Sequence, residues 1–442
     1  MFLLRIEDSD RTRSRDDYVG LIEDDLEWIG LRWDEGEGAG GDAGPYRQSA
    51  RHDIYRYHFE RLEASDRAYP CFCSADVLER ARAAQAAAGE PPRYPGTCAA
   101  LSRAAVAERI SRGERPALRF RVPPGREIAF DDLVRGAQRF RSGHMGDFVI
   151  RRADGSPAFL FANALDDALM GVTDVLRGED HLSNTPRQLL LLEALELAAP
   201  RYGHLPLITG TGGAPLSKRA QSASIAGLRA EGYLPAAVVN YAARLGHPFA
   251  DSMLLDLEGL AREFDCARLA HSAARFDAAQ LRFWQRQAVA ASSEATLREW
   301  MEPAVSDLVP PAARADFVRA VRGNVLLLKD ALHWARILFA DRLETEEEAR
   351  AVIDEAGAEF YRRAIEALAH RDEDFRACAK RLEAASRRRG RALFRPLRAA
   401  LTGTLDGPEL GALRALMGPE RVRRRLASAA AESGVEDREA PG

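Results

Sequence analysis

Residues 172–191 read VTDVLRGEDHLSNTPRQLLL, and this stretch sets the expected architecture of the chain. Val172–Leu176 is predicted to form a strand, and Pro186 is predicted to open a helix that runs to about Leu197. His204–Ile208 is predicted to be the next strand. The order strand, helix, strand indicates a parallel sheet, with helices covering it.

Four charged or titratable side chains lie between the first of these strands and the helix, where open α/β sheets bind their ligands. Arg177 could hold a carboxylate with its planar fork of donors, and Asp180 and His181 could contact the ribose or base of a nucleotide. The same residues fit a capped helix start with ordinary ion pairs equally well. The stretch alone therefore favours neither interpretation.

A glycine-rich loop follows the second predicted strand. Residues 210–219 read GTGGAPLSKR, and Lys218 is the first lysine in a chain where only Lys218, Lys329 and Lys380 stand among 63 Lys and Arg residues. Glycines give such a loop hinge freedom, and an ammonium group stabilises negative charge on phosphates. The spacing is not that of a Walker P-loop. A surface turn with an incidental lysine is the alternative.

Length and composition restrict the class of protein. The 442 residues suit two to four domains, and no apolar run approaches the roughly 18 residues of a membrane span. We therefore expect a soluble, cytoplasmic protein that binds no membrane. The formal net charge of -4 excludes a globally basic nucleic-acid binder but leaves room for a local basic face. The arginines at 387–389 and 421–425 are expected on solvated helix faces, with contact to a nucleic-acid backbone as the alternative.

The first 65 residues are predicted to form a strand, a helix, a loop and a second helix. Met1–Ile6 has the pattern of a buried strand, and Ser14 is a plausible N-cap for the helix that follows. Tyr18, Ile22, Leu26 and Ile29 fall on one helical face, and Gly30 should end the helix. The carboxylate of Glu7, just after the strand, could bind an ammonium group or simply solvate a turn.

Residues 66–155 have the composition of an insertion with its own small core, with β-like runs such as Ala117–Val122 and Phe148–Ile150. From about residue 226 onward the sequence is rich in Ala, Leu, Arg and Glu with helical periodicity. The second half is therefore predicted to be α-helical.

The cysteines indicate a metal site more than a disulfide framework, because the chain has only five. Cys71, Cys73, Tyr94 and Cys98 follow the spacing C-x-C-x20-Y-x3-C within the predicted insertion. Three thiolates with a phenolate or water could complete a tetrahedral zinc site that staples a small loop. Reduced cysteines lining a small core are the alternative.

Taken together, several stretches resemble one family. LRIED at 4–8, the run DDALMGVTDVLRGEDHLSNTPRQLLL at 166–191 and PLSKR at 215–219 are similar to bacterial glutamyl-tRNA synthetases, which are class I ligases. EGYLPAAVVNY at 231–241 resembles the stem-contacting helices of that family, and FRPLRAALTG at 394–403 resembles its anticodon-binding domain.

The resemblance implies a fold class and a division of the chain. We expect an α/β Rossmann-type catalytic domain of class I, truncated at its N-terminus, with an α+β acceptor-binding insertion and an all-α C-terminal half. The segments implied are 1–65 and 156–225 for the catalytic domain, 66–155 for the insertion, 226–292 for a stem-contact helical domain and 293–442 for a helical anticodon-binding domain.

The resemblance also implies an activity. The enzyme would activate glutamate with ATP and Mg²⁺ to glutamyl-adenylate and transfer it to the 3′ end of tRNA(Glu) or tRNA(Gln), and the family expectation is a monomer. Glu7 would meet the α-amino group of glutamate, and Asn163 and Arg177 its carboxylates. The ATP-binding side chains would be those of Asp180, His181, Ser217, Lys218 and Arg219, with Lys218 as the catalytic cation.

Three departures from the family pattern stand out. Pro215 lies where the family usually has a Lys, which removes one phosphate contact, and Phe159 stands where many members have a Tyr whose hydroxyl touches substrate. The sequence also contains no HIGH-type signature, and FLLRIED at 2–8 resembles the second strand of the family fold. We therefore expect the true reading frame to start upstream of Met1.

Two alternatives accompany this interpretation. A catalytically inactive, tRNA-binding paralogue would also lack the HIGH segment. A glutamyl-queuosine tRNA synthetase is disfavoured, because those shorter relatives lack the helical half that begins at about residue 293.

Overall fold

A computed structural model of the chain describes residues 2–9, 14–210, 213, 224–250, 252–368 and 374–433. The chain divides into two compact units. The first comprises Met1–Ala220 and Ala242–Asp277, and the second comprises Gln221–Tyr241 and Ala278–Gly442.

Strands and helices are interspersed up to residue 205. In chain order these elements are β1 (Leu3–Leu4), α1 (Asp16–Trp28), β2 (Glu35–Gly36), α2 (His52–Ala64), β3 (Ala68–Cys71), α3 (Ala75–Ala87), α4 (Arg103–Ser111), β4 (Ala117–Phe120), β5 (Glu127–Asp132), β6 (Gly136–Arg141), β7 (Phe148–Arg151), α5 (Phe159–Leu169), β8 (Asp174–Gly178), α6 (Thr185–Ala194) and β9 (Arg201–Leu205).

The remaining elements are helices, as the composition predicts. They are α7 (Ile225–Glu231), α8 (Pro235–Arg244), α9 (Leu257–Glu263), α10 (Ala278–Ala291), α11 (Glu294–Val305), α12 (Arg314–Val321), α13 (Leu328–Phe339), α14 (Glu347–Ala356), α15 (Ala358–Leu368), α16 (Phe375–Ser386), α17 (Arg391–Thr402) and α18 (Leu410–Glu432). No helix in the described part of the chain combines the length and the apolar character needed to cross a membrane.

The predicted parallel pairing is confirmed, although the strand bounds differ from the expected ones. Strand β8 pairs in parallel with β9, and this register places Arg177 opposite His204. Strand β1 pairs in parallel with β2. Within the described residues no backbone ladder joins these two pairs to each other. The opening strand is also shorter than predicted, because only Leu3–Leu4 belongs to the ladder and Ile6 forms an isolated bridge with Arg47.

The expectation for the first helix is partly wrong. Ser14 is not the N-cap, since α1 begins after Arg15 and no side chain caps it. The predicted apolar face is not buried either, because Tyr18 and Ile22 are 49% and 47% exposed. Gly30 does follow the helix end with φ of +86°, the left-handed conformation that glycine adopts without strain.

The segment predicted as an insertion forms two antiparallel sheets. One has the strand order β3-β4-β7, and the other is the hairpin of β5 and β6. Apolar side chains of the three-stranded sheet, including Leu118, Phe120 and Ile150, pack with Phe161 and Leu165 of α5 in one buried cluster. This cluster holds α5 in place and so positions the polar side chains on its other face.

In the second unit, two arginines of the basic run at 421–425 have structural roles. The buried Arg425 guanidinium donates to the carbonyl oxygens of Ile337 and Leu401, in the last turns of α13 and α17. Arg421 donates to the carbonyls of Leu338 and Phe339 at 2.8 and 3.0 Å. These carbonyls have no partner within their own helices, so the two arginines satisfy them. The expectation that the whole run lies on a solvated face is therefore wrong for Arg425.

Candidate active site

Arg177 lies near the carboxyl end of β8 and is half-buried. Its Nε–H donates to His204 Nε2 at 3.2 Å, and its Nη2 donates to Thr185 Oγ1 at 2.8 Å and to Gln188 Oε1 at 2.7 Å. All three acceptors are neutral. Burial lowers the pKa of Arg177, and no carboxylate in the described ranges lies within ion-pair distance of it. The guanidinium is thus held in position while its charge is left uncompensated at contact distance.

His204, one of the acceptors for Arg177, forms a fully buried pair with Asp132 of β5. The distance between His204 Nδ1 and Asp132 Oδ2 is 2.5 Å. Burial lowers the pKa of His204, and the Arg177 charge acts in the same sense, against the opposing effect of Asp132. Burial would raise the pKa of Asp132, but hydrogen bonds from the His204 ring and from backbone N–H groups keep it below its ordinary value. The pair is therefore a neutral imidazole beside a carboxylate at neutral pH.

Glu7 lies at an exposed position beside a more deeply buried ion pair. Arg5 Nη1 lies 2.8 Å from Asp167 Oδ1, and Arg5 Nη2 lies 3.7 Å from Glu7 Oε1. Burial raises the pKa of Asp167, although Arg5 acts in the opposite sense, and the field of Asp167 also reaches Arg177. Through these charges the opening segment and β8 belong to one electrostatic cluster.

Asn163 is held by the amide of Gln48, which lies just before α2. Gln48 Nε2 donates to Asn163 Oδ1 at 3.2 Å and to Asp166 Oδ2 at 3.0 Å. Asp166 also accepts from Arg51 Nε at 2.7 Å and from Tyr55 Oη at 2.7 Å. This buried network ties α2 to α5 and fixes the orientation of Gln48.

Two neighbouring clefts open at this point. One, of about 650 Å³, is lined by Gln48 and Ser49 among others, and the second, of about 960 Å³, is lined by Glu7. Asp8 and Ser49 line both clefts. They are joined by the Ser49 N–H, which donates to Asp8 Oδ1 at 2.7 Å. The structure thus brings Glu7 and the Gln48–Asn163 contact to adjoining cavities.

Asp180 and His181 lie in the 3-10 turn that links β8 to α6. The His181 ring packs against Phe159, with 5.3 Å between ring centroids, and its Nδ1 lies 3.0 Å from Asn184 Nδ2. A Cβ atom at Gly178 would come within 2.5 Å of Asp180 Oδ1, so glycine is what allows this carboxylate to fold back over the strand end. Ser217, Lys218 and Arg219 lie outside the described residues, and their role in ATP binding stays a prediction.

The predicted metal ligands converge on one point. Cys73 Sγ lies 3.7 Å from Cys98 Sγ, and Tyr94 Oη lies 3.4 Å from Cys71 Sγ and 3.6 Å from Cys73 Sγ. A tetrahedral zinc with Zn–S distances of about 2.3 Å places its sulfur ligands about 3.8 Å apart, and a sulfur and an oxygen ligand about 3.5 Å apart. These three distances match such a site, and the three sulfur atoms all lie within 4.8 Å of one another, so the four side chains could share a zinc ion.

The guanidinium of Arg119 adds positive charge to this cluster. Its Nε lies 3.1 Å from Cys71 Sγ, and its Cζ lies 3.8 Å from the centre of the Tyr94 ring. Nearby positive charge stabilises the thiolate form that binds metals.

The sequence patterns did not indicate the polar side chains that hold the candidate ligands, namely Gln48, Arg51, Asp132 and His204. One signal was available for the partner of Arg51: residues 159–169 read FLFANALDDAL, and two adjacent carboxylates in an otherwise apolar helix indicate a buried ionic partner. For Asp132 no local signal exists, since a carboxylate in a hairpin is usually solvated.

Comparison with known proteins shows the family to which this chain belongs. Residues 1–283 match the family model described as tRNA synthetases class I (E and Q), catalytic domain, and residues 278–430 match the anticodon binding domain. The chain is 55% identical over 426 residues to glutamate–tRNA ligase 2 of Nitrosococcus oceani, covering 96% of this chain and 90% of that protein. It is 52% identical over 438 residues to glutamate–tRNA ligase 1 of Halorhodospira halophila, covering 98% and 91%.

A solved structure supports the same assignment. The crystal structure of a glutamate tRNA ligase from Elizabethkingia meningosepticum in complex with its amino acid has a TM-score of 0.86 and 28% identity, and the match covers 97% of this chain and 92% of that one. The predicted class I catalytic fold followed by a helical half is thus confirmed. The chain belongs to the class I tRNA synthetases of the E and Q group.

Proposed function

We propose that the protein is a glutamate–tRNA ligase, which activates glutamate with ATP to glutamyl-adenylate and transfers the glutamyl group to the 3′ end of tRNA. Relatives with this name align over nearly the whole chain, with about half of the aligned residues identical, and this similarity supports the same activity for this chain.

The observation that carries the proposal is that the Arg177 guanidinium is held in place without a counter-charge at contact distance. Its guanidinium is half-buried, is held by neutral acceptors, and faces no carboxylate at ion-pair distance in the described part of the chain. A substrate carboxylate would supply the missing charge in a bidentate geometry that a guanidinium favours. We assign Arg177 and Asn163 to the carboxylates of glutamate and Glu7 to its α-amino group.

For ATP, we assign Asp180 and His181 to the nucleoside and Ser217, Lys218 and Arg219 to the phosphates. Mg²⁺ would accompany the triphosphate as the divalent cation such sites use. The reaction needs glutamate held in line with the α-phosphate while pyrophosphate leaves, so this chain contributes positioning and charge stabilisation.

For tRNA, we assign the segment 66–155 to the acceptor stem, 226–292 to further stem contacts and 293–442 to the anticodon. Charging assays with separate tRNA(Glu) and tRNA(Gln) transcripts decide which isoacceptor is the substrate. We also infer that Cys71, Cys73, Tyr94 and Cys98 hold a structural zinc ion, because three of their contact distances match a tetrahedral site and the three sulfur atoms lie within 4.8 Å of one another. When bound, the ion would cross-link the insertion and take no part in the reaction.

Glutamate-dependent exchange of pyrophosphate with ATP in the presence of tRNA tests the activity. We expect exchange by the wild-type chain and a loss of about 100-fold or more in kcat/KM for glutamate in Arg177→Ala. Arg201→Ala is the matched control, since Arg201 is exposed at the other end of the same strand pair and is paired with Asp174. Tight tRNA binding without any glutamyl-adenylate would overturn the proposal in favour of a tRNA-binding paralogue.

A further inference from the structure

The hydrogen bond from Arg177 to His204 depends on which ring nitrogen of His204 carries the proton. A guanidinium only donates hydrogen bonds, so its contact at 3.2 Å requires an unprotonated Nε2 on the ring. Thr185 Oγ1, which also accepts from Arg177, lies 3.0 Å from the same Nε2. His204 and Thr185 are both fully buried, so water does not substitute for either partner. The ring proton must then be on Nδ1.

Asp132 is built to keep the proton there. Its Oδ2 faces His204 Nδ1 at 2.5 Å. Its Oδ1 accepts from three backbone N–H groups, those of Val134 at 2.9 Å, Arg135 at 2.8 Å and His204 at 3.0 Å. These donors fix the rotation of the carboxylate, and the remaining oxygen can only accept from the ring.

We propose that Asp132 and His204 are positioning residues for substrate binding: Asp132 holds His204 as the Nδ1–H tautomer, and the Nε2 lone pair then fixes the Arg177 guanidinium for the carboxylate of glutamate. This inference rests on the proposed function, because it takes glutamate as the ligand of Arg177. Asp132 lies 72 positions before His204 in the chain, on the hairpin strand β5, so a residue outside the parallel strand pairs controls a side chain within one.

A purely structural pair would not need this polarity. Either tautomer of the ring would fill the same space, and only the Nδ1–H form leaves an acceptor for Arg177 and Thr185. The wrong tautomer would place an N–H group against the Arg177 Nε–H. The guanidinium would then have to turn away, and a displacement of about 1 Å at a positioning group can cost two orders of magnitude in rate.

Asp132→Asn tests the inference because the substitution preserves shape and reverses one hydrogen bond. The three backbone donors hold the amide oxygen at the position of Oδ1, so the amide nitrogen faces His204 Nδ1 and donates to it. The ring proton moves to Nε2. We expect nitrogen-15 NMR of labelled histidine to record this move, and KM for glutamate in pyrophosphate exchange to rise roughly tenfold or more while KM for ATP stays unchanged.

The matched control is Asp256→Asn. Asp256 caps α9 by accepting from the Gly259 N–H at 2.8 Å, and asparagine caps a helix equally well. It should leave both KM values and the His204 tautomer as in the wild type. A second pair of variants separates positioning from packing: His204→Gln retains an acceptor near Nε2 and should keep KM for glutamate well below that of His204→Leu.

The outcomes are distinguishable. An unchanged KM for glutamate in Asp132→Asn, with the ring proton on Nε2, overturns the inference and leaves the proposed function intact. Equal increases in His204→Gln and His204→Leu also overturn it. If the wild-type chain forms no glutamyl-adenylate, the proposed function is wrong. Independently of activity, a ring proton that stays on Nδ1 in Asp132→Asn refutes the role of Asp132.

Discussion

Arg51 Nε and Asp166 Oδ1 lie 2.7 Å apart, and the side chains of both residues are at most 2% exposed. Asp166 accepts from Gln48 and Tyr55 as well, so this carboxylate joins α2 to α5 beneath the candidate glutamate site. A buried charge of this kind is stabilising only while its partners remain in place.

Asp166→Asn should therefore destabilise the first unit strongly. Loss of the Asp166 carboxylate leaves the Arg51 guanidinium buried without a counter-charge. We therefore expect a decrease of about 3–5 kcal/mol in the free energy of unfolding. Asp53→Asn, in the helix α2 that Arg51 precedes, is the control, because the Asp53–Arg56 pair is exposed and should contribute under about 0.5 kcal/mol. Denaturant titration measures both, and similar small changes would contradict the assigned role of the buried pair.

Metal analysis should find about one zinc ion per chain, as expected for a four-ligand structural site. Cys73→Ser should lose the metal and lower the melting temperature, since a structural zinc contributes directly to folding. Cys266→Ser, which removes a cysteine remote from the cluster in sequence, should retain the zinc. If protein purified without chelators contains no zinc, and if Cys73→Ser leaves its stability unchanged, these cysteines are reduced side chains that line a small core.

Acidification below the ordinary histidine pKa of about 6.5 should weaken the first unit through His58. Burial lowers the pKa of His58 below its ordinary value, and the nearby Arg61 acts in the same sense. The unfolded chain then binds more protons than the folded one between the folded pKa and about 6.5, so stability is complete above pH 6.5 and declines below it. The contribution of this group is at most about 1.4 kcal/mol per pH unit.

His58→Asn tests this pH dependence, because asparagine keeps a donor for the Ile54 carbonyl, which His58 Nδ1 contacts at 2.8 Å, and does not titrate. The free energy of unfolding of the variant should fall less steeply than that of the wild type over about one pH unit below the reference pKa of about 6.5. His144→Asn, at an exposed position, should leave the slope as it is in the wild type. Parallel slopes for His58→Asn and the wild type would rule out this histidine as the cause.

In the second unit, Gly403→Ala should be severely destabilising. Gly403 follows α17 with φ of +70°, and a Cβ atom there would overlap the Glu344 carbonyl oxygen. The Gly403 carbonyl also accepts from the Glu346 N–H at 2.9 Å, so the backbone cannot move aside freely. We expect a loss of about 2 kcal/mol or more.

Gly323→Ala is the control for this substitution, because no heavy atom lies within 4 Å of the added Cβ and its φ is not positive. A thermal unfolding transition that Gly403→Ala shifts no further than Gly323→Ala would contradict the predicted overlap.

Much of the fold could be predicted because it depends on local patterns. Apolar β-type residues followed by Pro186 predicted β8 and α6, and an Ala- and Leu-rich composition predicted the helical half. The spacing of Cys71, Cys73, Tyr94 and Cys98 predicted a cluster, since ligands that are close in sequence are easily brought together by a short loop. Periodicity failed for α1, where the apolar stripe at Tyr18 and Ile22 is exposed, because amphipathicity indicates which face could be buried and not what covers it.

Within the candidate site, only the residues assigned to direct substrate contact could be predicted from the sequence. Motif residues such as Glu7 and Arg177 were found in short stretches with a recognisable pattern, but the side chains that hold them come from far away in the chain. Gln48 reaches Asn163 across 115 positions, and Asp132 reaches His204 across 72. Strand and helix propensities act over a few neighbouring residues, whereas packing determines the partner of a buried polar group. Packing alone brings distant segments to hydrogen-bond distance and removes the water that would otherwise compete for the hydrogen bond.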